Sequence, residues 1–279
     1  MDFNKSIFEN RQELNRPFLA AHRGVCCANI PCNSIAAYKI ALAQGADVIE
    51  IDVSKSKDGE FFVFHPWMEP QFLKSKYLCD LTAEEIKELR LLNQDGVPTS
   101  YPVPTLREVL TLLKDKVYIN VDKFWTDVEG ITRVIRECGV EKQVIVKTHL
   151  DEESLERVEK YAPDLMFVPL VRDEDNVTEN LLNRNINLIG TEVLFPTDDK
   201  PCISDEYIKS MHDKGLLIWA NAIIYNEADI INGGHSDDIS LHTSPDLGWG
   251  WLIDKNVDFI QTDWLLMVKM YMESKEKQG

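Results

Sequence analysis

The sequence predicts an α/β fold, a (β/α)8 barrel of the TIM type with a small insertion after its second strand. Short β-branched runs alternate with amphipathic stretches about eight times along the chain, the rhythm of a parallel sheet with crossover helices. The runs carry little polar alternation, as expected of strands buried on both faces. Their ends are unusually polar, which matches the face on which barrels build their sites. A doubly wound sheet is the other fold with this alternation. The 279 residues suit one barrel domain. No internal repeat, low-complexity tract or linker-like change of composition divides residues 1–279.

The first predicted strand, Phe18–His22, is followed by a helix over Ser34–Ala43, with Asn33 as its cap and Gly45 as its stop. Val48–Val53 is the second strand. Asp58-Gly59 then signals a hairpin to Phe61–His65. Residues 55–101, approximately, break the barrel rhythm and form the insertion, within which Thr82–Leu92 opens with a capping box of Thr82 and Glu85. The rhythm returns with a helix at Thr105–Leu113 and the strand Val117–Val121. Further strands are expected at Val144–Thr148, Leu165–Leu170, Leu188–Leu194, Leu216–Ala220 and Phe259–Thr262, with helices between them. Asn232–Ser244 is turn-rich and reads as a second excursion, after the seventh strand.

Thirty Lys and Arg stand against 47 Asp and Glu, a net charge of −17. That excludes a binder of nucleic-acid backbones and disfavours docking on anionic membranes. An anionic substrate would need local positive charge from Arg, Lys or a metal. No run approaches the ~20 apolar residues of a membrane span. The start MDFNKSIFEN shows no signal-peptide pattern, so the cytoplasm is the default compartment. Six cysteines occur without a CxxC pair, and the expectation is reduced, mostly buried thiols.

Glu50 and Asp52 are the most informative pair. Residues two apart on a strand share a face, and two carboxylates on an otherwise apolar strand are costly to bury unpaired. A hard divalent cation resolves this; a salt-bridged pair at an exposed strand end is the plainer alternative. His22 ends the first strand and leads into Arg23-Gly24, an arginine suited to phosphate beside a glycine that permits close approach. His65 is held extended by Pro66. Two such histidines could serve as general acid and general base, or be ordinary core histidines.

These residues, in this order, resemble the glycerophosphodiester phosphodiesterase family. The resemblance begins at Ala20-Ala21-His22-Arg23-Gly24 and Pro31-Cys32-Asn33-Ser34. It continues through residues 45–53, Lys57-Asp58-Gly59 and Val63-Phe64-His65. Residues 103–110 and Ile119-Asn120-Val121-Asp122-Lys123 follow, then Trp219-Ala220-Asn221 and residues 257–264. It implies metal-dependent hydrolysis of a small phosphodiester to an alcohol and a phosphomonoester, with one divalent cation, Mg2+ or Ca2+. By position Glu50, Asp52 and Asp122 would hold the metal, His22 and His65 would form the acid/base pair, and Arg23 would contact the phosphate. Which histidine plays which part is open. Two other functions remain: a phosphoinositol or lysophospholipid headgroup diesterase, or a weakened barrel that binds phosphodiesters without turnover. Homo-oligomers are common among such barrels.

Four positions depart from the family pattern. Cys32 stands for a Glu, Asp122 for a Glu, and Pro66 for an Asp that could orient His65, leaving Glu69 as one substitute. Lys123 directly follows its carboxylate, where the family places it two positions on. On a regular strand Lys123 would face away from Asp122, so it reaches the phosphate only if the backbone turns there. Lys147, Glu192 and Trp219 are further pocket candidates, with Trp219 expected to wall the alcohol. His235, Asp237 and Asp238 could suggest a second metal, but read better as a solvated loop.

Overall fold

A computed structural model describes residues 1–172, 177–226 and 228–277. Twelve strands occur among them: β1 (Phe18–Ala21), β2 (Val48–Lys55), β3 (Phe61–Val63), β4 (Arg90–Leu92), β5 (Pro98–Pro102), β6 (Tyr118–Asp122), β7 (Val144–Val146), β8 (Met166–Phe167), β9 (Leu170–Val171), β10 (Gly190–Val193), β11 (Leu217–Asn221) and β12 (Phe259–Thr262).

Leaving aside the hairpin strand β3, the main sheet is parallel throughout, in the order β8-β7-β6-β2-β1-β12-β11-β10-β9. β8 and β9 are two halves of one segment that the sequence marks as a single strand. Pro169 interrupts it, because proline has no N–H for the ladder. The segment bonds to β7 on one side and β10 on the other: Val168 N donates to Val146 O, and Glu192 N donates to Pro169 O. Eight strand positions therefore close into a TIM barrel.

Inside the ring, the alternation of side chains sorts polarity by height. Phe18, Val48, Tyr118, Ile145, Leu217, Trp219 and Phe259 form an apolar layer toward the strand starts. Glu50, Asp52, Asn120, Lys147, Glu192, Asn221 and Gln261 are buried above it, toward the C-terminal ends. The opposite strand faces pack against helices. The helix Val128–Cys138, capped by Asp127 and stopped at Gly139 (φ 63°), buries Val128, Ile131, Val134 and Ile135. Among the described residues, no helix is long and apolar enough to cross a membrane.

After β2 the chain forms the hairpin to β3, with Gly59 at φ 95°, and then leaves the barrel. The helix expected over Thr82–Leu92 keeps its capping box but spans only Ala83–Lys87. Arg90–Leu92 instead pairs antiparallel with β5, because that pairing buries Leu91 and Leu92. With Phe62, Phe64, Leu78 and Ile86, Leu91 makes a small core of its own. The cysteine expectation is also corrected. Cys26 and Cys32 form a disulfide in the loop after β1, while Cys27 and Cys79 are exposed thiols. The six-residue spacing brings the two sulfurs together across that loop, a pairing no spacing rule predicts.

Candidate active site

Glu50, Asp52 and Asp122 converge where β2 and β6 run side by side, with Asp52 and Asp122 in register. One carboxylate oxygen from each lies within 4.8 Å of the others. Glu50 and Asp52 are buried, so their charges need partners. Burial first, and the neighbouring Asp52 second, push the Glu50 carboxyl up to about 7. Asp52 moves the other way. Burial opposes its charge, but Arg23, His65 and Lys123 outweigh it and hold the group far below the usual carboxylate range. Asp122 is likewise held down by Lys147 and Lys123 against its burial.

The loop after β1 reaches into this cluster from both of its ends. Arg23 N donates to Glu50 Oε2 at 2.8 Å, and Arg23 Nε lies 2.9 Å from Asp52 Oδ2. Asn33 Nδ2 donates to the same Asp52 oxygen at 2.9 Å, while Tyr38 donates to Asn33 Oδ1 at 2.8 Å. Asn33 is thus a site residue; Ser34 caps the helix Ile35–Gln44. Arg23 and Asn33 adopt φ values of 56° and 55°, a conformation rare for non-glycine residues and concentrated at functional sites. Gly24, at φ 83°, has no room for a side chain: a Cβ would stand 2.8 Å from the Ala37 backbone.

Lys123 turns back toward the carboxylates. Its backbone leaves the strand at φ 61°. The side chain thereby comes to the same side as the carboxylate before it, with Nζ 2.8 Å from Asp122 Oδ2 and 3.8 Å from Asp52 Oδ1.

The two histidines are held differently. His22 Nδ1 lies 2.8 Å from Asp263 Oδ1. Burial works against its charge, but Asp263 prevails and raises its pKa. His65 Nδ1 lies 2.9 Å from the carbonyl oxygen of Pro66, and its Nε2 is 3.9 Å from Asp52 Oδ1. Burial lowers its pKa, helped by Arg23 and Lys123 and opposed by Asp52. Glu69, the suggested substitute for a missing carboxylate beside His65, is buried and accepts from Leu78 N instead.

Sequence reasoning assigned no role to Asp263, although it directly follows the last strand. It also misplaced Asp237. That residue is buried at the start of the helix Asp237–His242, not in a solvated loop. It accepts from Trp249 Nε1 at 2.7 Å, Thr262 Oγ1 at 2.6 Å and Asp263 N at 2.8 Å. Asp237 therefore fixes the backbone of the residue that holds His22. His235 bonds Asp198 and the Leu247 carbonyl, so the three-residue metal reading fails. Lys147 and Glu192 are buried and paired at 2.7 Å, and Asn221 donates to the other Glu192 oxygen. Trp219 walls no open pocket: it is 1% exposed and stacks on Phe259 in the apolar layer.

A family model described as the glycerophosphoryl diester phosphodiesterase family matches residues 22–221, from the first histidine to the end of β11. The chain belongs to this family. A glycerophosphodiester phosphodiesterase of Caldanaerobacter subterraneus is 33% identical over 159 residues, 54% of this chain and 65% of that protein. Among solved structures, a glycerophosphoryl diester phosphodiesterase from Parabacteroides distasonis superposes with a TM-score of 0.77 at 23% identity, covering 93% of this chain and 87% of that one. An Oleispira antarctica phosphodiesterase, solved in complex with the product sn-glycerol-3-phosphate, gives 0.67 at 16% identity, covering 94% and 98%. At these identities the structural likeness shows the shared barrel fold.

The residues fit the divalent cation that this family implies. Three hard oxygen donors converge, and Asp52 Oδ1 is buried without a hydrogen-bond donor. Two ligands on opposite sides of a Ca2+ stand at most ~5 Å apart, so the 4.8 Å limit on the cluster suits a shared ion. The shorter Asp122 remains inside that limit.

Proposed function

We infer that this chain, acting as one barrel domain, is a phosphoric diester hydrolase. It cleaves a glycerophosphodiester, or a similar small phosphodiester, to an alcohol and a phosphomonoester. The observation that carries the reading is the single constellation at the barrel mouth. Three convergent carboxylates and two cationic side chains adjoin two histidines, each with its own orienting acceptor.

In this reading Glu50, Asp52 and Asp122 hold one Mg2+ or Ca2+. When bound, the ion supplies Lewis-acid polarisation of a phosphoryl oxygen. Arg23 and Lys123 present their charges toward the same carboxylates, and a phosphate placed there draws both. The Pro66 carbonyl can only accept, so neutral His65 carries its proton on Nδ1 and offers Nε2 as a base to the attacking water. His22 is kept charged by Asp263 and donates a proton to the departing alkoxide. A pure binding barrel has no use for two separately oriented imidazoles.

The test is turnover of glycerophosphocholine, glycerophosphoethanolamine, glycerophosphoinositol and bis(p-nitrophenyl) phosphate, with Mg2+, with Ca2+ and with chelator. Expected is metal-dependent hydrolysis that chelator abolishes and that His22→Ala lowers by about 10²–10⁴. Ligand binding without turnover under every metal would replace the enzyme reading with a binding one.

A further inference from the structure

A groove leads out of the site on its His65 side. It runs between the loop after β1, closed by Cys26–Cys32, and the insertion, and Arg23 and His65 line its inner end. With its open mouth it spans about 680 Å³ of space free of protein atoms. Its walls come from Ile30, Phe64, Met68, Phe72, Leu91 and Leu92.

Most polar side-chain atoms in these walls already have protein partners. Asn33 bonds Asp52 and Tyr38; Asn93 bonds Asn29 and the backbone of Asp95 and Val97; the Gln94 carbonyl accepts from Ala28 N. No carboxylate lines the groove. A choline or ethanolamine ammonium would therefore lie there without a counter-ion, and a free glycerol or inositol would lose water contacts with little in return.

On these grounds, and resting on the hydrolase reading above, we propose that the groove binds an apolar ester arm of the substrate. That arm is a single alkyl or acyl chain on a monomeric phosphodiester, with its phosphate on Arg23 and Lys123. The occupant follows from continuity: Arg23, one of the two cations assigned to the phosphate, also lines the groove's inner end. The walls set specificity, since burying a methylene is worth ~0.8 kcal/mol, about fourfold in affinity for each fully buried group.

A series of methyl, butyl and octyl p-nitrophenyl phosphates tests this, alongside glycerophosphocholine and lysophosphatidylcholine below and above its micelle-forming concentration. Expected is a kcat/KM that rises from methyl to butyl to octyl, by up to about fourfold per added methylene, until the groove is filled. Lysophosphatidylcholine should be favoured over glycerophosphocholine while still monomeric. Phe72→Asp, at the half-buried rim, should flatten the chain-length dependence. A flat or falling series in the wild-type protein overturns the apolar arm, as does activity that appears only on micelles. Failure to hydrolyse any ester, with either metal, instead removes the hydrolase reading itself.

Discussion

His65 is oriented by the residue that follows it: its Nδ1 donates to the carbonyl oxygen of Pro66 at 2.9 Å. The proline that removes the expected carboxylate thus supplies an acceptor from its own backbone. This acceptor fixes the tautomer but adds no negative charge, so His65 stays neutral more readily than a carboxylate-held histidine. His22, held by Asp263, is biased toward the charged form.

The pH dependence follows from these opposite biases. As the base, His65 must be unprotonated, and its pKa lies below the ordinary 6.5, so activity falls only as pH drops through that lowered value. As the acid, His22 must be protonated, and its pKa lies above 6.5, so activity falls as pH rises through that raised value. A kcat/KM profile should be bell-shaped with a plateau spanning 6.5. Asp263→Asn should move the alkaline limb to lower pH and leave the acid limb in place. Replacing either histidine by alanine should cost about 10²–10⁴ in kcat. An alkaline limb unmoved by Asp263→Asn would reject the assignment of His22 as acid.

Metal removal should destabilise the protein in a pH-dependent way. At an ion concentration ~100 times its Kd, binding adds about 2.7 kcal/mol. For a chain of this size that is roughly 5–10 °C in Tm. Glu50 is raised from 4.5 to about 7 in the metal-free fold, so between those values the folded state binds the extra proton. Stability of the metal-free protein therefore falls as pH rises through that window. Asp237, raised to about 6, acts in the same direction up to that pH. The difference in Tm with and without metal isolates the cluster, since Asp237 lies outside it. That difference should widen from pH 5 to pH 7.5. A difference independent of pH would mean that Glu50 is not a ligand.

Much of this was legible in the sequence because a strand's period of two is a strong constraint. Val48, Glu50 and Asp52 share one face, as do Tyr118, Asn120 and Asp122, and both sets face into the barrel as that period demands. The turn at Lys123 could be anticipated because the chemistry required it. What was hidden depends on contacts distant in sequence. Asp237 reaches Asp263 across 26 residues, and Asp263 reaches His22 across 241. Trp219 was misplaced because position along a strand sets height within the barrel. Two residues before Asn221, it falls into the apolar layer.

Arg23 and Gly24 should tolerate almost nothing. Arg23→Lys removes the guanidinium that lies against Asp52 and the planar fork suited to a phosphate. A charge-assisted hydrogen bond contributes about 1.5–3 kcal/mol, so a loss of roughly 10- to 150-fold in kcat/KM is expected. Gly24→Ala adds a Cβ 2.8 Å from the Ala37 backbone at φ 83°. The strain should cost about 1–3 kcal/mol of stability, read by urea denaturation. Wild-type stability in Gly24→Ala would show that the loop adapts freely.

The Cys26–Cys32 disulfide bridges the loop whose two ends, Arg23 and Asn33, both contact Asp52. Arg23 O accepts from Asn33 N at 3.0 Å, so the ends are already tied and the disulfide constrains what lies between them. Closing so short a loop restricts the unfolded chain by about 2 kcal/mol in the chain-entropy model. The double variant Cys26→Ser/Cys32→Ser should lower stability by that order and raise KM severalfold, with kcat changed less, because Arg23 and Asn33 keep their own bonds to the carboxylates. A dithiol reductant should reproduce both effects in the wild-type protein and neither in the variant. Equal responses in the two proteins would trace the reductant's effect to Cys27 or Cys79, the exposed thiols outside the bridge. Mass spectrometry of non-reduced peptides gives the direct check, since a bridge absent from the oxidised protein would remove the constraint.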